Sequence, residues 1–418
     1  MQYATIDKCL KAGLIKQNQM NGLNMTQIAK PNARSFDGWM RLPISKHLVR
    51  QYTINDPAYD LWSALKYYSE VEEVGLHLIQ TKGLQPQQLQ QEIFDYFRAF
   101  IRQANSYYES AKLLHYRSSS LLYYYSFLNL VKAYLLLEDP QWIMGRTGHA
   151  VTHGLTYRPS TTNTDFLLEA VRVNEGIFPK FYEAQTNRPL SATETVTLNI
   201  KEMLGYPSDI SSEYQLTGYG NFKIFSPLVA VVTDQSQNLA WTIIAIPAIA
   251  DLDNFFNLQP KFLHTYQEIE INKQMLAQIF NKDVPELNYN FRFFQDITPI
   301  PLINNRTVPL AQLRQKIVDT LNPYIGTHYY NDNADFDLAF PYQDPVTSIW
   351  LPITEGLSIY VTMFYLSSLV RYRPNYLETL LNHKPAWLIE NFVTNTPQVF
   401  LRIMVSKITG KEIIHLRR

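Results

Sequence analysis

The chain has 418 residues, and its 37 basic and 37 acidic residues give a formal net charge of zero at pH 7. This balance excludes a global electrostatic attraction to nucleic acid or to an anionic membrane, although a local basic patch is compatible with it. The only cysteine, Cys9, excludes an intrachain disulfide and a cysteine metal cluster, and it fits a reducing compartment. The first residues contain no apolar stretch of signal-peptide length, so we expect a cytoplasmic protein without a membrane-bound segment.

Helical periodicity dominates the first part of the chain, from Leu61 to Leu137. Its last helix is predicted over Ser118–Leu137, where apolar side chains cover more than one face, so we expect a central buried element. Three serines, Ser118 to Ser120, offer an N-terminal cap for it. The helix is expected to stop at the sequence Glu138-Asp139-Pro140.

The pattern changes after this helix. A further short helix is expected over Phe166–Val173, and two β-branched, aromatic segments then predict an antiparallel hairpin, Phe222–Val232 with Leu239–Ile246. Two helices are predicted within the β-containing region, and the chain becomes helical again from Pro345. The three predicted helices are Gln267–Phe280, Leu310–Leu321 and Pro397–Ile408.

These elements predict an α+β protein that is mainly α with a β-rich middle region. Residues 1–190 form the predicted helical N-terminal region and residues 191–340 the β-containing middle region. Residues 341–418 form a helical C-terminal region that is expected to pack on the N-terminal one.

The segment after the central helix concentrates the residues suited to chemistry, namely Arg146, His149 and His153. Arg146 and His153 are seven residues apart, so on one continuous helix both would project from the same face, about 10 Å apart along the axis. An arginine grips phosphate oxygens in pairs, and a histidine transfers protons near neutral pH. The pair is a candidate phosphodiester site; the alternative is a capped loop with hydrogen-bonded histidines.

His149 and His153 also have the i, i+4 spacing that can seat two imidazoles on a metal ion. A metal needs further ligands, and no glutamate adjoins either histidine as it does in zincins. We therefore predict neither a metal nor a cofactor.

Two other places can add to a substrate site. Tyr125, Asn129 and Lys132 follow one face of the central helix and can line the same pocket as His153, although core packing explains a tyrosine equally well. Arg371 and Arg373 stand where the C-terminal apolar helix ends at Pro374. They either complement the helix dipole or form an anion site shared with the Arg146 segment.

Two sequence blocks carry a family resemblance. The first reads YYYSFLNLVKAYLL and is followed by HGL, and the second reads IYVTMFYLSSLVRYRPNYLETLL. In order and spacing they resemble the YaaC-like proteins. Residues 90–155 are also similar, more loosely, to HEPN domains, helical modules in which a tyrosine-rich helix precedes a helix with an arginine, four to six residues, and a histidine.

The HEPN resemblance implies an intracellular ribonuclease or toxin of antiviral defence that is independent of metal ions and often dimeric. Arg146 and His153 would be catalytic, and His149, Lys132, Asn129, Arg371 and Arg373 would contact the RNA. The alternative is a non-catalytic binding or scaffold protein whose helices form a homodimer or recruit a protein partner.

Overall fold

The computed structural model describes residues 35–39, 47–51, 57–83, 89–145, 152–157, 166–190, 196–225, 228–234, 236–247, 265–270, 291–303, 310–321, 323–329 and 336–416. Long helices alternate there with short, mostly antiparallel sheets, which confirms the predicted α+β class with its helical majority.

The described helices, in chain order, are α1 (Pro57–Glu70), α2 (Glu72–Thr81), α3 (Gln90–Lys112), α4 (Tyr116–Glu138), α5 (Pro140–Met144), α6 (Ile177–Thr186), α7 (Ile200–Met203), α8 (Ser211–Thr217), α9 (Leu310–Leu321), α10 (Glu355–Tyr372), α11 (Pro374–Leu381) and α12 (Ala386–Thr409). Short 3₁₀ turns lie at Phe166–Leu168 and Ser208–Ile210.

The described strands are β1 (Ser35–Trp39), β2 (His47–Gln51), β3 (His153–Tyr157), β4 (Ala170–Gly176), β5 (Thr197–Asn199), β6 (Ile224–Phe225), β7 (Leu228–Asp234), β8 (Leu239–Pro247), β9 (Tyr266–Ile269), β10 (Phe291–Asp296), β11 (Ile300–Pro301), β12 (Gly326–Tyr329), β13 (Phe336–Ala339), β14 (Tyr342–Gln343), β15 (Trp350–Leu351) and β16 (Glu412–Leu416).

The chain divides into two compact units, each made of two separate stretches. The helical unit comprises Lys46–Ile224 and Pro341–Arg418, and the sheet unit comprises Met1–Ser45 and Phe225–Phe340. Strand β1 is part of the sheet unit because it pairs with β7. In the helical unit, β2 and β16 pair in parallel and join its first described strand to its last.

Helix α4 is the centre of the helical unit and confirms the helix predicted over Ser118–Leu137. It packs against α3, α10 and α12, and almost its whole second half is buried. Phe127 stacks on Phe400 of α12 with ring centroids 4.1 Å apart, and the Ser126 hydroxyl donates to the Ala104 carbonyl of α3 at 2.8 Å. A helix that is apolar around its circumference needs such neighbours on several sides. The predicted serine cap is wrong: the helix begins earlier, and the imidazole of His115 accepts from its first turn.

Helix α10 is enclosed along most of its length. Every residue from Glu355 to Leu369 is buried. The Thr354 hydroxyl caps its start by accepting from the amide of Leu357, and Pro374 begins the next helix directly after its end. The helix therefore carries its last residues, Arg371 and Tyr372, out of the core to the edge of the unit.

The sheet β3–β4–β5 lies in the helical unit and pairs antiparallel throughout. The helix predicted over Phe166–Val173 is wrong, because a 3₁₀ turn covers Phe166–Leu168 and β4 follows. Val171 and Val173 are buried while Arg172 between them is exposed, which is the alternation of a strand. The two strands that flank β4 are the preceding and the following strand of the chain, and pairing with both stabilises this conformation.

The sheet unit contains a sheet with the order β1-β7-β8-β10-β9, and β11 also pairs with β8. Strands β7 and β8 form the predicted antiparallel hairpin, with Val231 opposite Thr242, although β7 begins at Leu228. Helix α9 confirms the prediction over Leu310–Leu321. The helix predicted over Gln267–Phe280 is wrong up to Ile269, which is strand β9, and its remainder lies outside the described residues apart from Glu270.

None of the described helices combines the length and the apolar character that a membrane crossing requires.

Candidate functional site

His153 is the first residue of β3, and the backbone around it is fixed by close strand pairing. It lies opposite Gly176 of β4, and the carbonyl of the preceding Thr152 accepts from the amide of Ile177 at 2.9 Å. Gly154 has φ +74°, and a Cβ atom there would lie 2.8 Å from the backbone nitrogen of Phe178. Only glycine fits both restrictions, so the segment His153-Gly154 is held tightly against the start of α6.

This position overturns the predicted helix shared by Arg146 and His153. Helix α5 ends at Met144 with Gly145 as its cap, and His153 belongs to a strand. Glycines disfavour a helix here, and pairing with β4 stabilises the extended conformation instead. Arg146 and His149 lie outside the described residues, so their participation stays a prediction.

The imidazole of His153 is held by α4 and α10. Its Nδ1 lies 2.7 Å from the hydroxyl of Tyr124, whose oxygen is in turn 3.5 Å from that of Tyr360. The rings of Tyr124 and Phe364 pack on the imidazole with centroids 5.5 and 6.2 Å away. Tyr124 is fully buried and burial raises the pKa of its phenol well above the ordinary value, so it remains a neutral hydroxyl. The imidazole is thereby fixed through Nδ1, and Nε2 has no partner among the described residues.

The pKa of His153 is lowered from its ordinary value of 6.5. Burial is the largest cause, because a half-buried imidazolium loses hydration, and the positive charges of Arg371 and Lys132 add to it. His153 is therefore neutral at pH 7. Arg371 and Lys132, two of the predicted substrate-binding residues, are therefore close enough to His153 for their charges to act on it.

Arg371 is held at the end of α10 without a carboxylate partner in the described part of the chain. Its Nε donates to the Ser367 carbonyl at 3.2 Å, and its terminal nitrogens lie 3.4 and 3.5 Å from the hydroxyls of Ser367 and Tyr125. These bonds are long and use three of the five N–H groups of a guanidinium. The remaining two N–H groups and the uncompensated charge are suited to an anion.

Lys132 supplies the second uncompensated charge. Its Nζ lies over the ring of Phe100, 5.8 Å from the centroid, and burial lowers its pKa. No carboxylate pairs with it among the residues that the structure describes. Asn129 of the same helix uses its side-chain amide in a local bond to the Tyr125 carbonyl at 2.8 Å.

Arg373 lies in a different environment from Arg371. Its guanidinium donates to the Tyr157 hydroxyl at 3.1 Å and stacks on Tyr376 at 4.5 Å. Burial opposes its charge, but the hydrogen bond to Tyr157 and the nearby charge of Glu169 outweigh burial and raise the pKa of Arg373. Burial and the Glu169 carboxylate raise the pKa of Tyr157 as well. Arg373 is thus compensated and serves to attach the end of α10 to β3. Its predicted contact with substrate stays a prediction.

The site as described consists of a neutral histidine, two cations without counter-ions, and a buried tyrosine that fixes the imidazole. Such a set can bind an anion and exchange a proton with it. Within the described residues no group of three or more His, Cys, Asp or Glu side chains is placed to hold a metal ion. The sequence pointed to the histidine and the two cations. It did not distinguish Tyr124 from Tyr123 and Tyr125, because the inward direction of one tyrosine in a run is set by packing.

The family of the chain follows from a comparison with known families. The model of the family described as YaaC-like Protein matches residues 77–408, which include Lys132, His153 and Arg371. The chain belongs to this family. The YaaC-like resemblance of the two sequence blocks is confirmed, whereas the similarity to HEPN domains has no support in the family match. Comparison with curated proteins gave no match, and comparison with solved structures gave none.

Proposed function

We propose that this YaaC-like protein binds a phosphodiester of RNA at the site around His153 and cleaves it without a metal ion. The observation that carries the proposal is the neutral His153 beside Arg371 and Lys132, two cations without carboxylate partners in the described region. A phosphate would supply the missing negative charge. The free N–H groups of Arg371 would hold two of its oxygens, and Lys132 would act as a point charge.

The chemistry requires two proton transfers at one nitrogen of His153, and the hydrogen bond of the imidazole to Tyr124 supports them. With a proton on Nδ1, His153 donates to the Tyr124 oxygen and leaves Nε2 as a base. Nε2 takes the proton of the RNA 2′-hydroxyl, and the 2′-oxygen bonds to phosphorus. The bond to the 5′-oxygen then breaks, and the imidazolium returns its proton to that oxygen. The products are a 2′,3′-cyclic phosphate and a 5′-hydroxyl, and no oxidant or co-reactant is consumed.

The test is cleavage of a labelled RNA oligonucleotide by purified full-length protein in the presence of a chelator. We expect wild-type protein to cleave RNA and to leave the deoxy analogue intact, since the analogue lacks the nucleophile. His153→Gln should reduce the rate by about 10²–10⁴-fold, the range of general acid–base catalysis. Arg371→Lys and Arg146→Lys should also be impaired, because an ammonium cannot reproduce the paired grip on phosphate.

The matched control is His77→Gln, which changes an exposed histidine of α2. It should retain wild-type activity, whereas His153→Gln should remain folded by circular dichroism but inactive. Full activity of His153→Gln, or cleavage that the chelator abolishes, would contradict the proposed mechanism.

A non-catalytic function is the second candidate, and one observation favours it. Leu113 and Leu114, at the turn between α3 and α4, are 88% and 44% exposed, and apolar side chains at such a corner are suited to contact with a second copy or another protein. Wild-type protein that binds RNA without cleaving it, or binds no RNA and forms a dimer dependent on Leu113, would favour this function.

A further inference from the structure

Tyr372 is an exposed aromatic residue directly beside the uncompensated arginine. It is the last residue of α10, its side chain is 71% exposed, and its ring centroid lies 4.9 Å from the guanidinium carbon of Arg371. A tyrosine this exposed contributes little to the core. Its position beside a cation that has no counter-ion within the described segments therefore suggests a role in binding.

Two further aromatic rings connect to Arg371. The ring of Tyr125 lies 6.0 Å from the same guanidinium carbon, and Tyr107 of α3 packs on Tyr125 with centroids 5.5 Å apart and an angle of 32° between the planes. We call Tyr107, Tyr125, Arg371 and Tyr372 the aromatic row. It combines three rings with one planar cation, and Tyr372 is its exposed member.

We propose that the aromatic row is a stacking surface for the base of an unpaired nucleotide, so that the ligand of this site is single-stranded RNA. The inference rests on the proposed function for the phosphate contact at Arg371, but it adds the recognition of a base. Aromatic rings and guanidinium planes are the groups on which proteins stack splayed-out bases. Every base has a π face, so the surface selects strandedness and not sequence.

A duplex cannot use this surface, because its bases are already stacked and paired within the helix. Its phosphates can still approach Arg371 and Lys132. The aromatic row therefore predicts tighter binding of single-stranded RNA than of duplex RNA, which phosphate binding alone does not predict. This preference should depend on Tyr372.

The experiment is fluorescence anisotropy with the wild-type full-length protein and a labelled 2′-O-methyl oligouridylate, which cannot be cleaved by attack of its 2′-oxygen. The same strand annealed to its complement is the duplex probe. We expect tighter binding of the single strand. Tyr372→Ala should weaken it by about 5-fold or more, the low end of the effect of losing one stacked base, and should leave duplex binding unchanged. Tyr372→Phe should retain wild-type affinity.

Tyr59→Ala is the matched control, since Tyr59 of α1 is 58% exposed and lies outside the aromatic row. It should leave both affinities unchanged. Equal weakening of single-strand and duplex binding by Tyr372→Ala would mean that Tyr372 only positions Arg371, and would overturn the inference. Equal affinity of the wild-type protein for the single-stranded and the duplex probe would also overturn the inference, but it would not contradict a phosphate site at Arg371. Tyr372-dependent binding without any cleavage of RNA would support the aromatic row and refute the catalytic function.

Discussion

Replacement of Tyr124 by phenylalanine tests whether the imidazole of His153 is positioned by the buried hydroxyl. The change removes a bond of 2.7 Å to Nδ1 and leaves a half-buried ring nitrogen without its partner. Loss of a buried hydrogen bond costs about 1–2 kcal/mol of unfolding free energy. If that energy also fixes the imidazole for catalysis, the cleavage rate should fall by about 5- to 30-fold. Urea unfolding and RNA cleavage measure the two quantities.

The control for this prediction is Tyr134→Phe on the same helix. The Tyr134 hydroxyl donates to the Ala184 carbonyl at 3.1 Å, so its removal should cost a comparable amount of stability without affecting cleavage. Nitrogen-15 NMR of the His153 ring gives a further readout that is independent of activity. The tautomer populations should change in Tyr124→Phe and stay unchanged in Tyr134→Phe. If the two variants lose equal stability and the His153 ring is unaffected in both, Tyr124 has only a packing role and the reasoning is refuted.

Two further predictions concern stability. The pKa of His153 is lowered in the folded protein, so the unfolded chain binds more protons than the folded protein below pH 6.5. The free energy of unfolding should therefore fall as the pH decreases through and below 6.5. Above pH 6.5, His153 should make no pH-dependent contribution to it. Urea unfolding on both sides of this pH should show a smaller acid loss in His153→Gln, and an equal loss in the variant would contradict the assignment. Leu128→Ala should cost about 2–5 kcal/mol, since Leu128 is buried in α4, whereas the exposed Leu113→Ala should change the unfolding free energy by less than about 0.5 kcal/mol. A Leu128→Ala loss similar to that of Leu113→Ala would show that α4 does not form the core.

The sequence was sufficient to predict a helix or strand where the residues of that element alone carry its pattern. Helix α4 is apolar around its circumference, and the hairpin β7–β8 is rich in β-branched residues, so both were predictable from local composition. The residues 166–173 contain good helix formers such as Leu167 and Leu168, yet the second half of this segment is strand β4, which pairs with β3 and β5. Pairing with the neighbouring strands overrides local propensity, and the segment itself carries no signal for it.

In the candidate site, the residue types were predictable from the sequence, but their spatial arrangement was not. The residue types of His153 and Arg371 suggested chemistry, but these two residues are more than two hundred positions apart, and the packing of α10 against α4 and β3 brings them together. The predicted pairing of Arg146 with His153 assumed a helix that Gly145 and β3 interrupt. The separation of two residues along the sequence gives their distance in space only once the secondary structure between them is known.

The division of the helical unit into two stretches has a consequence for biosynthesis. Helix α4 is made early, whereas α10 and α12, which cover it, lie beyond the whole sheet unit. At about 5–20 residues per second, a ribosome needs roughly 10–40 s to pass from the end of α4 to the start of α10. During that interval a nascent apolar helix stands without two of its neighbours, so this chain should depend on chaperones co-translationally. The site at His153 can form only when nearly the entire protein has left the ribosome.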